Sequence, residues 1–204
     1  MRNLVVVVGV VLLPLVLVAQ VAQKEYSKVE AFAGYSYLRN SGHNFNGWEG
    51  QLTWNFNRYL GATADFSGHY RTAAVFSPLS GFSASANQRL YTYLFGPTAT
   101  ARFGKNSVFG HALFGAAHST IGAGVTVPIF GGFSTTVNSA TAFGMALGGG
   151  VDIGLNRFFA IRPAQVDYLY THFGAFDALS AGLSNNTSNH QNSFRYSGGI
   201  VLRF

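Results

Sequence analysis

Gly47-Trp48-Glu49-Gly50-Gln51-Leu52-Thr53-Trp54-Asn55-Phe56 decides the fold. Trp48, Gly50, Leu52, Trp54 and Phe56 form one alternate set, and Gly47, Glu49, Gln51, Thr53 and Asn55 form the other. Side chains switch faces at every residue of an extended chain, so this stretch reads as a strand with one apolar and one polar face. A helical period would scatter Glu49, Gln51, Thr53 and Asn55 around a cylinder. After Asn57-Arg58-Tyr59, a spacing suited to a hairpin turn, the pattern resumes. Leu60, Ala62, Ala64, Phe66 and Tyr70 stand against Thr63, Asp65, Ser67 and His69.

The same period runs along the rest of the chain. Tyr91, Tyr93, Phe95, Pro97, Ala99, Ala101 and Phe103 oppose Thr92, Thr98, Thr100 and Arg102. Thr141, Phe143, Met145, Leu147, Val151 and Ile153 oppose Gly144, Gly148, Gly150 and Asp152. Phe194, Tyr196, Ile200, Leu202 and Phe204 oppose Ser193, Arg195, Ser197 and Arg203. Val29 to Leu38 alternates more weakly, and in Ser107 to Ser119 neither parity is clearly polar. In Phe159 to Phe173, Arg162 and Asp167 fall on opposite parities, which predicts a bulge near Pro163. Eight strands are expected, joined by short turns at 57–59, 104–106 and 155–157. These alternate with longer connections at 39–45, 71–89, 120–140 and 174–192, the last three rich in Ser, Gly, Ala and Asn. Short turns at one end and long loops at the other fit a closed, antiparallel, up-and-down transmembrane β-barrel, an all-β fold.

Charge decides which face meets the surroundings. Only 10% of residues are charged while 48% are hydrophobic, against roughly 25% charged in an average soluble domain. A soluble barrel would need a Lys/Glu-rich coat. Here the polar parity is mainly Thr, Ser, Gly and Asn, which suits a cramped interior. Tyr35, Tyr37, Tyr91, Tyr93, Tyr168, Tyr170, Phe194 and Tyr196 collect toward the long loops, and Trp54, Phe56, Phe103 and Phe204 toward the short turns. Two aromatic belts around an aliphatic middle are how amphipathic rings settle at membrane interfaces. The inward set then carries an ionic network of Glu30, Glu49, Asp65, Asp152 and Asp167 with Arg102, Arg162, Arg195 and Arg203. Glu30 and Arg203 are expected to come together at the closing seam, and Asp152 and Arg162 across one hairpin. Such a network is expected to plug the lumen.

Met1-Arg2-Asn3, the Val/Leu stretch Leu4 to Val18 and the small or polar Ala19 to Gln23 have the layout of a secretory signal peptide. We assign 1–22 to the signal, cut somewhere in 19–23, and 23–204 to the barrel. Export to the bacterial outer membrane is the expectation. The net charge of +6 comes without a Lys/Arg cluster, so nucleic acid is not an expected partner. The absence of cysteine excludes disulfides, zinc–thiolate sites and thiol nucleophiles.

The final residues, Ser-Gly-Gly-Ile-Val-Leu-Arg-Phe, resemble the C-terminal assembly signal of outer-membrane barrels. The resemblance implies that Ser197, Gly199, Leu202 and Phe204 are read by the barrel-assembly machinery. Residues 29–37, Phe95-Gly96-Pro97, residues 147–152, Ile161-Arg162-Pro163 and Val166-Asp167-Tyr168 make the chain after the leader similar to small OmpA-like outer-membrane β-barrel domains. The likeness implies a monomer in contact with outer-membrane lipid and lipopolysaccharide, without the periplasmic domain of full-length OmpA. It specifies no chemistry.

No catalytic residue, cofactor or metal is assigned. His111 and His118 share a segment, but their odd separation puts them on opposite faces. Ser67 and His69, with Asp65 below, are the one hydrolase-like grouping, and they look into the barrel, out of reach of a lipid in the leaflet. Gly148-Gly149-Gly150 lacks the Lys-Ser/Thr and helix of a phosphate loop, and inward glycine there leaves room for large residues opposite. The expected role is structural or surface-interacting through the long loops. A narrow porin-like channel is the alternative, and a leaflet lipid-modifying enzyme the third reading.

Overall fold

The computed structural model describes residues 26–40, 43–76, 83–127, 131–172 and 190–204. The leader lies outside the described residues, as does most of the connection 174–192. Eight strands follow one another: β1 Val29–Asn40, β2 His43–Asn55, β3 Leu60–Phe76, β4 Ser83–Phe103, β5 Asn106–Val127, β6 Gly131–Gly154, β7 Phe159–His172 and β8 His190–Arg203. Each pairs antiparallel with the next, and β1 pairs with β8 to close the barrel.

Alternation fixes the facing. Trp48, Leu52, Trp54 and Phe56 point outward, while Glu49, Gln51, Thr53 and Asn55 are buried within. Rings meet edge to face on the outer wall, at Phe66 with Tyr93 and Phe95 and at Tyr168 with Phe194. The bulge expected near Pro163 is present. The register between β7 and β8 slips between Arg162 and Gln165, and both Pro163 and Ala164 face outward. Because two residues there oppose one, Arg162 and Asp167 both end up inside.

Two expectations need correction. The connections at 39–45, 71–89 and 120–140 are largely strand: β1 reaches Asn40 and β2 starts at His43, β3 runs on to Phe76, β4 starts at Ser83, β5 reaches Val127 and β6 starts at Gly131. Among the described residues β2 accompanies β3 only as far as Tyr70, and β7 accompanies β6 only from Phe143. Beyond those points β3–β6 rise past the closed barrel as a four-stranded sheet. The interior is also less polar than its alternate set implied. Leu38, Phe45, Leu94, Leu113, Ala146 and Leu169 form a buried apolar layer inside the barrel. Leu113 and Phe109 face inward on β5, which is why neither parity of that strand looked polar.

Candidate functional site

The lumen is built around one guanidinium. Arg195 on β8 is fully buried and donates to Asp65 on β3, Nη1 to Oδ1 at 2.9 Å and Nη2 to Oδ2 at 2.9 Å. It also donates to Asp167 on β7, from Nη2 at 2.7 Å and Nε at 2.9 Å. Glu49 Oε2 on β2 lies 3.4 Å from its Nε. Three carboxylates therefore share one arginine, and neutral donors hold them apart. Gln51 bridges Glu49 and Asp65, and Gln165 bridges Glu49 and Asp167, at 2.7–2.8 Å. Ser197 donates to Glu49, and His111 meets Asp167 Oδ1 at 2.8 Å. A buried charge is tolerated when its partners and remaining lone pairs are matched in this way.

Glycine on the facing strand makes room for Asp167. A Cβ built on Gly148 would lie 2.0 Å from Asp167 Oδ1, so no larger residue fits while that carboxylate holds its place. Gly150 similarly admits the Phe109 ring. That ring and Phe32 sandwich the Arg162 guanidinium, at 4.1 and 4.4 Å. Arg162 donates to both oxygens of Asp152, at 2.7 and 3.3 Å, and to Gln51 and Gln165. The two charged groups are thus linked through glutamines. Ser36 and Ser197 join at 2.9 Å, and Leu38 of the leucine layer lies two residues beyond Ser36 toward the long-strand end of β1. A void of about 10 Å³ beside Thr53, Thr63 and Arg162 has room for one water.

Glu30 and Arg203 face each other in the seam register, yet their side chains part. Glu30 pairs with Arg102 at 2.9 Å. Arg203 turns across the mouth to the Lys105 carbonyl at 2.7 Å and Ser107 at 3.0 Å, with Asp152 at 3.7 Å. The seam pairing expected from the sequence is therefore replaced by contacts reaching over to β4 and β5. The hydrolase-like grouping does not assemble. His69 meets Ser36 at 2.9 Å rather than Ser67, Ser67 meets Thr92 at 2.6 Å, and Asp65 is held by Arg195. Among the described residues no group of three metal-ligating side chains converges.

Sequence reading passed over Gln51, Gln165, Ser36 and His111 as members of this network. The signal was parity alone: each is a polar residue on an inward position, and His111 lay on the strand whose facing was ambiguous. On β8, Ser197 and Gly199 sit on the inward parity and Leu202 and Phe204 on the outward one.

The order and closure of the strands are shared with a solved protein. Ail, the attachment invasion locus protein of Yersinia pestis, superposes with a TM-score of 0.50 at 17% identity, over 88% of this chain and 100% of that one. The likeness is one of fold. A second structure of Ail, in complex with the heparin analogue sucrose octasulfate, gives 0.51 at 19% identity over 87% and 97%. No family profile matches the chain, and no curated protein matches its sequence. The comparison thus reaches the small eight-stranded barrel and stops short of an OmpA-like family.

Proposed function

We propose that this chain is an integral outer-membrane barrel, exported by its 1–22 leader, that offers the projecting β3–β6 sheet to the cell exterior as an interaction surface. The extent of those strands carries the reading. β3 to β6 run for 17, 21, 22 and 24 residues, whereas roughly 9–11 tilted residues cross a bilayer. The surplus is too long for anchoring and is presented as a sheet whose outer strands pair on one side only among the described residues. Main-chain donors and acceptors along such an edge are a ready template for an extended partner. Ail, named for attachment, has the same barrel, and a role at the cell surface is in keeping with that likeness.

In this reading the lumen is a sealed strut. The bonded network and the leucine layer fill the space a solute would cross, which speaks against the narrow channel. Ser197, Gly199, Leu202 and Phe204 serve the assembly machinery. The motifs at 29–37 and 147–152 favour an OmpA-like ancestry, and the aromatic belts meet lipid and lipopolysaccharide. The test is to trim both projecting hairpins, replacing 72–87 and 121–138 with tight turns. Cells expressing the trimmed protein should keep a heat-modifiable barrel and lose adhesion to host-cell surfaces. Adhesion unchanged by the trimming would overturn the reading.

A further inference from the structure

A cavity of about 250 Å³ opens at the short-turn mouth, between the β4–β5 and β6–β7 turns and the β1–β8 seam. Arg102, Lys105, Arg157 and Arg203 line it, and Glu30 is the one carboxylate side chain among them. Arg102 neutralises Glu30 at 2.9 Å. Lys105 and Arg157 have no carboxylate partner among the described residues, and Arg157 rests on the Phe158 ring at 4.7 Å. Arg203 is committed through both Nη atoms, but its side chain is 10% exposed and its buried Nε has no acceptor. With Glu30 set against Arg102 and Asp152 against Arg203, Lys105 and Arg157 remain in excess.

We propose that this mouth is an anion site for a phosphate-type oxyanion. Its tetrahedral oxygens would accept from Lys105 and Arg157, whose charges would match its own, with Arg203 adding to the positive potential of the mouth. Arginine suits this role because its planar fork offers several directed donors to one oxyanion. The site depends on the fold and not on which way the barrel is inserted, so it stands or falls separately from the surface role.

The probe is inorganic phosphate, titrated by calorimetry into the full-length protein in neutral phosphatidylcholine nanodiscs at low salt. Saturable binding at one site per barrel is expected. Lys105→Ala combined with Arg157→Ala, both on exposed turns, should weaken it at least tenfold and leave the barrel heat-modifiable. Arg39→Ala, at the opposite end, should leave it unchanged. Phosphatidylglycerol in the nanodiscs should either compete, marking a lipid headgroup as the natural source, or leave phosphate affinity unaltered, marking a free phosphorylated solute; both uphold the site. No saturable binding, or equal losses in the turn variant and Arg39→Ala, would overturn it.

Discussion

At the residue scale the proposed seal of the lumen rests on Arg195. It is the one cation in contact with Glu49, Asp65 and Asp167 among the described arginines and lysines, so deleting it leaves three carboxylates facing one another without a counter-charge. Removing one partner of a buried ion pair costs about 3–5 kcal/mol. Arg195→Ala should therefore lower the free energy of refolding into lipid by an amount of that order. It should also let water and small ions into a lumen that in the unmutated protein carries no stable current in planar bilayers. A steady conductance in the unmutated protein would rule out the sealed lumen. Parts of this site were legible in the sequence. All five acidic residues of the described strands lie on inward positions, where alternation put them. Which acid meets which base was not legible. Glu30 and Arg203 are register neighbours whose long side chains reach different partners, and strand parity says nothing of that choice.

At the element scale, facing can be tested on β2. Leu52 lies outward between the two aromatic belts, and Thr53 lies inward against Thr63 at 2.7 Å. An arginine facing lipid near the midplane costs roughly 2–4 kcal/mol, whereas one at Thr53 can reach toward the polar mouth. Leu52→Arg should thus lower folding yield more than Thr53→Arg, as judged by heat-modifiability; the reverse order would invert the facing. Just past β8, Phe204 is exposed on the outer wall while its backbone closes the seam with Val29. Phe204→Ser keeps that backbone, so it should reduce folded barrel in cells well beyond any loss on refolding into detergent. Equal losses in both settings would make Phe204 a packing residue. Strand ends were the least legible feature. Alternation is clear where one face meets lipid and the other a polar interior, as in 47–56. In Arg71–Phe76, 120–127 and 131–140 the sheet stands clear of the barrel, lipid no longer enforces an apolar face, and small polar residues hide the strand.

At the scale of the whole molecule, the sequence disclosed closure and strand number. It did not disclose that one side of the barrel rises far above the other, because that asymmetry lies in pairing lengths. The central claim is a barrel inserted in the outer membrane with its tall strands outside and its short turns within. The chain has no cysteine, so single cysteines report position without background. Thr135 on the projecting part of β6 and Lys105 in the β4–β5 turn are both exposed. Intact cells carrying Thr135→Cys or Lys105→Cys would be treated with a membrane-impermeant maleimide. This orientation predicts labelling at position 135 in intact cells, and at 105 only after the outer membrane is permeabilised. Labelling at 105 in intact cells with 135 protected would contradict it.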